Sequence, residues 1–234
     1  MPNWLTGYAG TMTRENNTRY LAILVVLAAP FYLNDFSSIY VKDWRWWLAI
    51  DYIAVKLFPL AVVAWLIASG KMQLAEFGLT AQGTPAFLAT FFVAALAGTL
   101  IDQNAYDLLK ALPGYAPLGA MPEIRHDGWN RFDLGIGLLL VGVMEEMVFR
   151  AYAHTVISRY TANPAAIVAI SAVAFGLIHW CLGLLTVLIT AVIGALFMVI
   201  YLRTRSVPAL MLAHFFINFI DFAGVIPKSI FKVF

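Results

Sequence analysis

Long apolar runs separated by short polar stretches dominate the pattern of this chain. A helix that crosses the roughly 30 Å hydrocarbon core of a bilayer needs about 20 mostly apolar residues. Seven runs approach or reach that length, at residues 20–33, 48–69, 85–101, 132–157, 164–180, 182–202 and 207–226. The pattern predicts an all-α, polytopic transmembrane helical bundle with about seven spans, eight being the alternative count.

The polar stretches between these runs predict the connections. Residues 34–47 are expected to form a loop, in which Trp44, Trp46 and Trp47 fit an interfacial aromatic belt. Residues 102–131 form the longest polar stretch, and its prolines argue against a regular helix. A loop of that length in a compact bundle is often a lid or a binding element. Residues 1–19 are expected to be an interfacial segment that precedes an uncleaved first span.

Composition supports a membrane protein. Of 234 residues, 62% are hydrophobic and 12% are charged, whereas soluble domains carry about 25% charged residues. The whole chain, 1–234, is therefore expected to be one integral-membrane domain. A formal net charge of +2 is too small to suggest a nucleic-acid partner. The single cysteine, Cys181, excludes an internal disulfide and is expected to be a small core residue.

The fourth run contains two carboxylates and a guanidinium at membrane depth, Glu145, Glu146 and Arg150. Ionisable groups there are costly, so they usually face the bundle interior and serve a function. Glu146 and Arg150 are four residues apart and share one helix face, which predicts an ion pair. Glu145 is turned about 100° away from Glu146 and has no obvious local partner. The spacing thus predicts one structural and one chemically active carboxylate.

Two later runs carry polar groups at the same four-residue spacing. His179 follows Phe175, an aromatic side chain able to shelter it, and His214 precedes Asn218. Because successive spans alternate in direction, Glu145, His179, His214 and Asn218 can meet between the bilayer midplane and the face that carries the 102–131 loop. Each group alone is explained by interhelical hydrogen bonding. Their conjunction in three late spans favours an active site.

Hydrolysis by an activated water is the chemistry that suits these groups. A poorly solvated carboxylate binds a proton more readily than one in water, which suits a general base. A histidine beside it can orient that water or carry the proton. A second histidine and an asparagine can donate hydrogen bonds to a developing oxyanion. No serine or cysteine lies credibly beside these histidines, since helix geometry turns Cys181 away from His179.

The ordered motifs resemble a known family. Glu145-Glu146-x-x-x-Arg150, Phe175-x-x-x-His179 and His214-x-x-x-Asn218 are similar to the three motifs of the CAAX-protease and bacteriocin-processing family of intramembrane glutamic endopeptidases. That family includes the Ras-converting CAAX endopeptidase and many prokaryotic relatives. The likeness covers about residues 132–221, the motif-bearing part of the chain, which is nearly two-fifths of its length.

The resemblance implies a role for each matched residue. Glu145 and His179 would activate water, and His214 and Asn218 would form the oxyanion hole. Glu146, Arg150 and Phe175 would organise the site, without a cofactor or metal. The resemblance further implies a multi-pass protein of a prokaryotic cell membrane that acts on a membrane-associated or lipidated peptide. A prenylated CAAX tail, a bacteriocin leader and a C-terminal sorting segment all remain compatible with it.

Three other interpretations remain open at the level of sequence. His179, His214 and a glutamate are a plausible zinc ligand set, although no HExxH motif is present. Buried Glu and His side chains also relay protons in transporters. A non-catalytic immunity or scaffold protein would keep the same fold.

Overall fold

The computed structural model describes residues 14–80 and 82–233. In these residues the chain forms seven helices and no β-strand. They are α1 (Arg14–Tyr40), α2 (Trp44–Ala68), α3 (Thr84–Leu109), α4 (residues 127–157), α5 (Pro164–Gly176), α6 (Leu184–Thr204) and α7 (Val207–Ala223). The predicted all-α bundle is confirmed.

Five of the helical segments are long and apolar enough to cross a membrane, namely Asn16–Tyr40, Trp44–Ala68, Thr84–Leu109, Pro164–Leu182 and Leu184–Thr204. The seventh helix, Val207–Ala223, is apolar but shorter. The fourth contains the two glutamates and the arginine predicted to lie at membrane depth. The result is a polytopic membrane bundle.

Several helices depart from α-helical geometry close to the ionisable residues. In α4 the segment Met147–Tyr152 is π-helical and follows directly after Glu146. The segments Tyr52–Leu57 in α2 and Asp133–Gly137 in α4 are also π-helical. After α5 the chain continues as a 3₁₀ turn, Leu177–Leu182. Such irregular turns are frequent at functional sites because they re-aim side chains.

The second half of the bundle packs tightly around α4. Helices α5 and α6 pack along each other, α3 packs against α6 and α7, and α4 packs against α7. Gly142 makes the last of these contacts close, because a Cβ there would lie 3.0 Å from the Met211 carbonyl oxygen and 3.4 Å from the His214 Cβ. This contact brings the α4 glutamates against His214 of α7.

Two predicted boundaries are wrong, and both errors have the same physical cause. The expected loop 34–47 is helical except at residues 41–43, and α3 continues to Leu109 rather than ending near residue 101. Asn34 and Asp35 were assigned to a loop because they are polar, but their side chains are bonded inside the bundle. The first thirteen residues of the predicted interfacial segment 1–19 lie outside the described residues.

Candidate active site

A cavity of about 260 Å³ lies between the helices, and side chains from both halves of the chain line it. All four residues predicted to be catalytic contribute to its wall: Glu145 from α4, His179 from the 3₁₀ turn, and His214 and Asn218 from α7. Glu146 and Phe175 line it as well. The structure therefore brings the three separate motifs to one place.

Glu146 lies between a cation and an imidazole. Its Oε2 is 3.2 Å from Nε of Arg150, and its Oε1 is 2.9 Å from Nδ1 of His214. Both side chains of the ion pair are fully buried. Sequence spacing predicted the pairing with Arg150, whereas the contact with His214 depends on the packing of α4 against α7. Glu146 thus fixes the orientation of the His214 ring.

Glu145 lies on the other side of the same imidazole. Its Oε2 is 3.6 Å from Nε2 of His214, and this oxygen is buried with no hydrogen bond among the described residues. The sequence grouped Glu145 with His179, but the structure pairs it with His214. The structure shows no ion pair or hydrogen bond between Glu145 and His179, although both line the cavity.

His179 is presented by an irregular backbone. Within the 3₁₀ turn it has φ −109° and ψ 24°, close to the bridge region where many active-site residues lie. Its ring packs edge-on against Phe175, with centroids 5.6 Å apart. The Arg150 guanidinium lies 4.1 Å from the centroid of the same Phe175 ring. Phe175 therefore spaces the arginine from the histidine.

Asn218 completes the cavity wall one turn beyond His214 on α7. It is half-buried, and its side chain faces the same space as the two imidazoles. An amide in that place can donate to an oxygen in the cavity. The sequence predicted this residue from its four-residue spacing to His214.

A second polar wall lies in the first half of the chain, and the sequence did not assign it a function. Lys56 forms a buried ion pair with Asp51, whose other oxygen accepts a hydrogen bond of 3.0 Å from Asn34. The Tyr52 hydroxyl donates to Asp133 at 3.0 Å. The sequence does contain a signal for this wall, namely the opposite charges of Asp51 and Lys56, five residues apart inside an apolar run.

The geometry does not assemble the zinc ligands considered above. Among the described residues, no group of three His, Cys, Asp or Glu side chains is arranged so that it could hold a metal ion. His214 instead shares its two ring nitrogens between two carboxylates.

Comparison with known proteins gives one match. A family model described as "Type II CAAX prenyl endopeptidase Rce1-like" matches residues 127–220. The match covers about two-fifths of the chain, and this segment is similar to the family. The matched segment runs from the start of α4 into α7 and contains all seven residues predicted from the sequence to form the site. Neither the curated proteins nor the solved structures gave a match.

The match confirms the resemblance that the three motifs indicated. The chain is a peptidase that contains a segment similar to this family, and its long apolar helices support an integral membrane protein. An intramembrane endopeptidase acts on peptides at the bilayer. Its partners are therefore a peptide substrate and the surrounding lipids.

Proposed function

We propose that the chain is a glutamic-type intramembrane endopeptidase in which Glu145 activates the attacking water. The observation that carries this proposal is the place of Glu145 in the cavity wall, where its Oε2 makes no hydrogen bond and lies 3.6 Å from Nε2 of His214. Glu146, by contrast, is bonded to Arg150 and to His214. Glu145 thus has one charged neighbour at ion-pair distance, His214, whereas Glu146 has two, Arg150 and His214.

The reaction follows from this arrangement. Glu145 takes a proton from water as the water oxygen attacks the scissile carbonyl carbon, and a tetrahedral intermediate forms. The carbon–nitrogen bond then breaks, and the proton held by Glu145 passes to the leaving amine. His179, on the same cavity wall, orients the water. A positioned general base of this kind typically accelerates a reaction by about 10²–10⁴-fold.

His214 and Asn218 supply the oxyanion site. In its imidazolium form, His214 donates Nδ1–H to Glu146. Its Nε2 lies 3.6 Å from Oε2 of Glu145, beyond hydrogen-bond distance, so Nε2–H is available to an oxygen in the cavity. Asn218, one turn away, offers an amide N–H to the same oxygen. Donors aimed at the developing charge are each worth about 2.7–4 kcal/mol in comparable enzymes. Glu146 and Arg150 hold this imidazole in place.

The substrate is a membrane-tethered peptide with apolar side chains near the cleavage site. Around the catalytic groups the cavity wall is largely apolar, with side chains such as Phe31, Val55, Ile193 and Phe222. The family description names prenyl CAAX substrates, so a prenylated peptide is the first substrate to test. We also infer, from the motif resemblance, that this membrane is a prokaryotic cell membrane.

Trapping separates direct attack by water from a covalent mechanism. The purified protein in lipid nanodiscs is incubated with a prenylated peptide in 50% H₂¹⁸O and, separately, with added hydroxylamine. We expect ¹⁸O in the new carboxyl terminus and no hydroxamate product. A hydroxamate formed in proportion to hydroxylamine would show an acyl-enzyme and overturn the proposal.

Metal analysis distinguishes the glutamic mechanism from the zinc-dependent alternative. The purified protein is measured for bound metal, and cleavage is followed before and after treatment with a membrane-permeant chelator. The proposal expects unchanged cleavage. Loss of activity that returns on addition of zinc would favour His179, His214 and a glutamate as ligands.

A further inference from the structure

Asp35 is a buried carboxylate with no role in the chemistry described above. It lies on α1, only 9% of its surface is exposed, and it lines the cavity. A carboxylate buried in a membrane bundle is costly unless specific donors compensate it. The hydrogen-bond donors that contact Asp35 therefore indicate its role.

Asp35 bonds to the turn that presents His179. Its Oδ2 accepts a hydrogen bond of 2.7 Å from the backbone N–H of Cys181, two residues after His179. A second contact with α1 holds Trp180, the residue between His179 and Cys181: its indole N–H donates to the Tyr32 carbonyl oxygen at 2.9 Å.

The backbone carbonyl group of Cys181 is held by a different part of the chain. Residues 115–120, which we call the strap, cross the turn, and the N–H groups of Leu118 and Gly119 donate to the Cys181 carbonyl oxygen at 2.7 and 3.2 Å. The N–H of Ala120 donates to the Ser38 carbonyl oxygen of α1 at 3.2 Å. Cys181 is thus held at its N–H by α1 and at its C=O by the strap.

The turn needs such external support. His179 has non-helical dihedral angles, and Gly183 has φ +95°, a conformation that other residues rarely adopt. A short 3₁₀ segment has poorer internal hydrogen bonds than an α-helix and does not fix a side chain by itself. The position of the His179 ring therefore depends on contacts from outside the turn.

We propose that Asp35 is a positioning residue that holds the His179 turn in its catalytic arrangement through the backbone N–H of Cys181. This inference rests on the proposed function, since it assigns a purpose to the place of His179. What Asp35 supplies is an acceptor oxygen for a backbone donor. The negative charge itself is not required.

Kinetics of two substitutions distinguish an acceptor from a charge. Asp35→Asn keeps a carbonyl oxygen for the Cys181 N–H, and we expect its kcat to stay within about threefold of the unaltered protein. Asp35→Leu removes the acceptor, and a displaced catalytic group lowers kcat by about 30-fold or more, with KM nearly unchanged. Equal loss in both variants, or no loss in Asp35→Leu, would overturn the proposal.

Thiol labelling gives a readout that does not require cleavage. Cys181 is the only cysteine of the chain and is fully buried, so its reaction with a membrane-permeant maleimide reports opening of the turn. We expect labelling at least about tenfold faster in Asp35→Leu than in Asp35→Asn. Trp180→Phe, which loses the indole donor, should label at an intermediate rate.

Asp107→Leu is the matched control. Asp107 lies at the end of α3, where it accepts a hydrogen bond from Lys232, and it does not contact the turn. Its labelling rate should equal that of the unaltered protein. If neither Asp35→Leu nor Trp180→Phe labels faster than this control, Asp35 does not hold the turn. If labelling behaves as expected but no variant or parent cleaves any peptide, it is the proposed function that fails.

Discussion

At the scale of single residues, two adjacent glutamates have different environments. Glu146 has no exposed surface and contacts both Arg150 and His214, whereas Glu145 lines the cavity and contacts His214 at 3.6 Å. The sequence predicted this division from helix spacing alone, since residues four apart share a face. It could not predict that His214 lies between both carboxylates, because that contact depends on how two distant helices pack.

Stability measurements should separate the two glutamates. Glu146→Gln leaves the buried Arg150 charge without its partner, and breaking a buried pair in this way costs about 3–5 kcal/mol. Glu145→Gln removes only the 3.6 Å contact with His214, which keeps Glu146 as its closer partner, so its midpoint of thermal unfolding should stay much closer to that of the parent. Unfolding in detergent is followed by circular dichroism.

A double variant is the control for this prediction. Glu146→Gln combined with Arg150→Met removes both charges, so it should recover part of the stability lost by the single substitution. A Glu145→Gln variant as unstable as Glu146→Gln would contradict the assignment of Glu146 as the structural carboxylate.

At the scale of elements, the site depends on the close approach of α4 and α7. The π-helical segment Met147–Tyr152 begins directly after the glutamates, and Gly142 lies one turn before them. Hydropathy predicted the core of each span correctly. It misplaced the ends of α1 and α3 because polar side chains that face an internal cavity look the same in sequence as polar side chains of a loop. Asp35 and Asn34 are the examples.

Substitution of Gly142 should impair catalysis through this approach. In Gly142→Val the added side chain meets the α7 backbone at the Met211 carbonyl oxygen, so it moves His214 away from Glu145. Since a displacement of about 1 Å can cost about 10²-fold in rate, we expect a comparable loss of kcat. Peptide cleavage by the purified variant measures it.

Gly135 provides the control on the same helix. An added Cβ there meets nothing within 4 Å, so Gly135→Ala should keep the parent rate. Parent-like activity of Gly142→Val would show that the close contact of α4 and α7 is not needed for the reaction.

At the scale of the whole molecule, the cavity is apolar in part and acidic in part. Besides the two glutamates, five aspartates line it, and one of them is bonded to Lys56: Asp35, Asp51, Asp102, Asp133 and Asp221. The sequence predicted a site between the midplane and the face of the 102–131 loop. It did not predict that α1 and α2 form the opposite wall, because their polar residues match no motif.

This composition predicts discrimination against acidic substrates. A peptide with Asp next to the cleavage site must bury its charge beside other carboxylates, so its kcat/KM should fall by about 10²-fold or more relative to the peptide with Leu. The peptide with Asn at the same position separates the effect of charge from that of size. Equal kcat/KM for the Asp and Leu peptides would contradict this description of the cavity.

The most direct test of the central claim is the cleavage rate of Glu145→Gln in lipid nanodiscs, measured on a peptide that the parent cleaves. Glutamine keeps the size of the side chain and removes its ability to take a proton. The account predicts a loss of kcat by about 10²–10⁴-fold with unchanged folding. Cleavage at the parent rate would show that Glu145 is not the base.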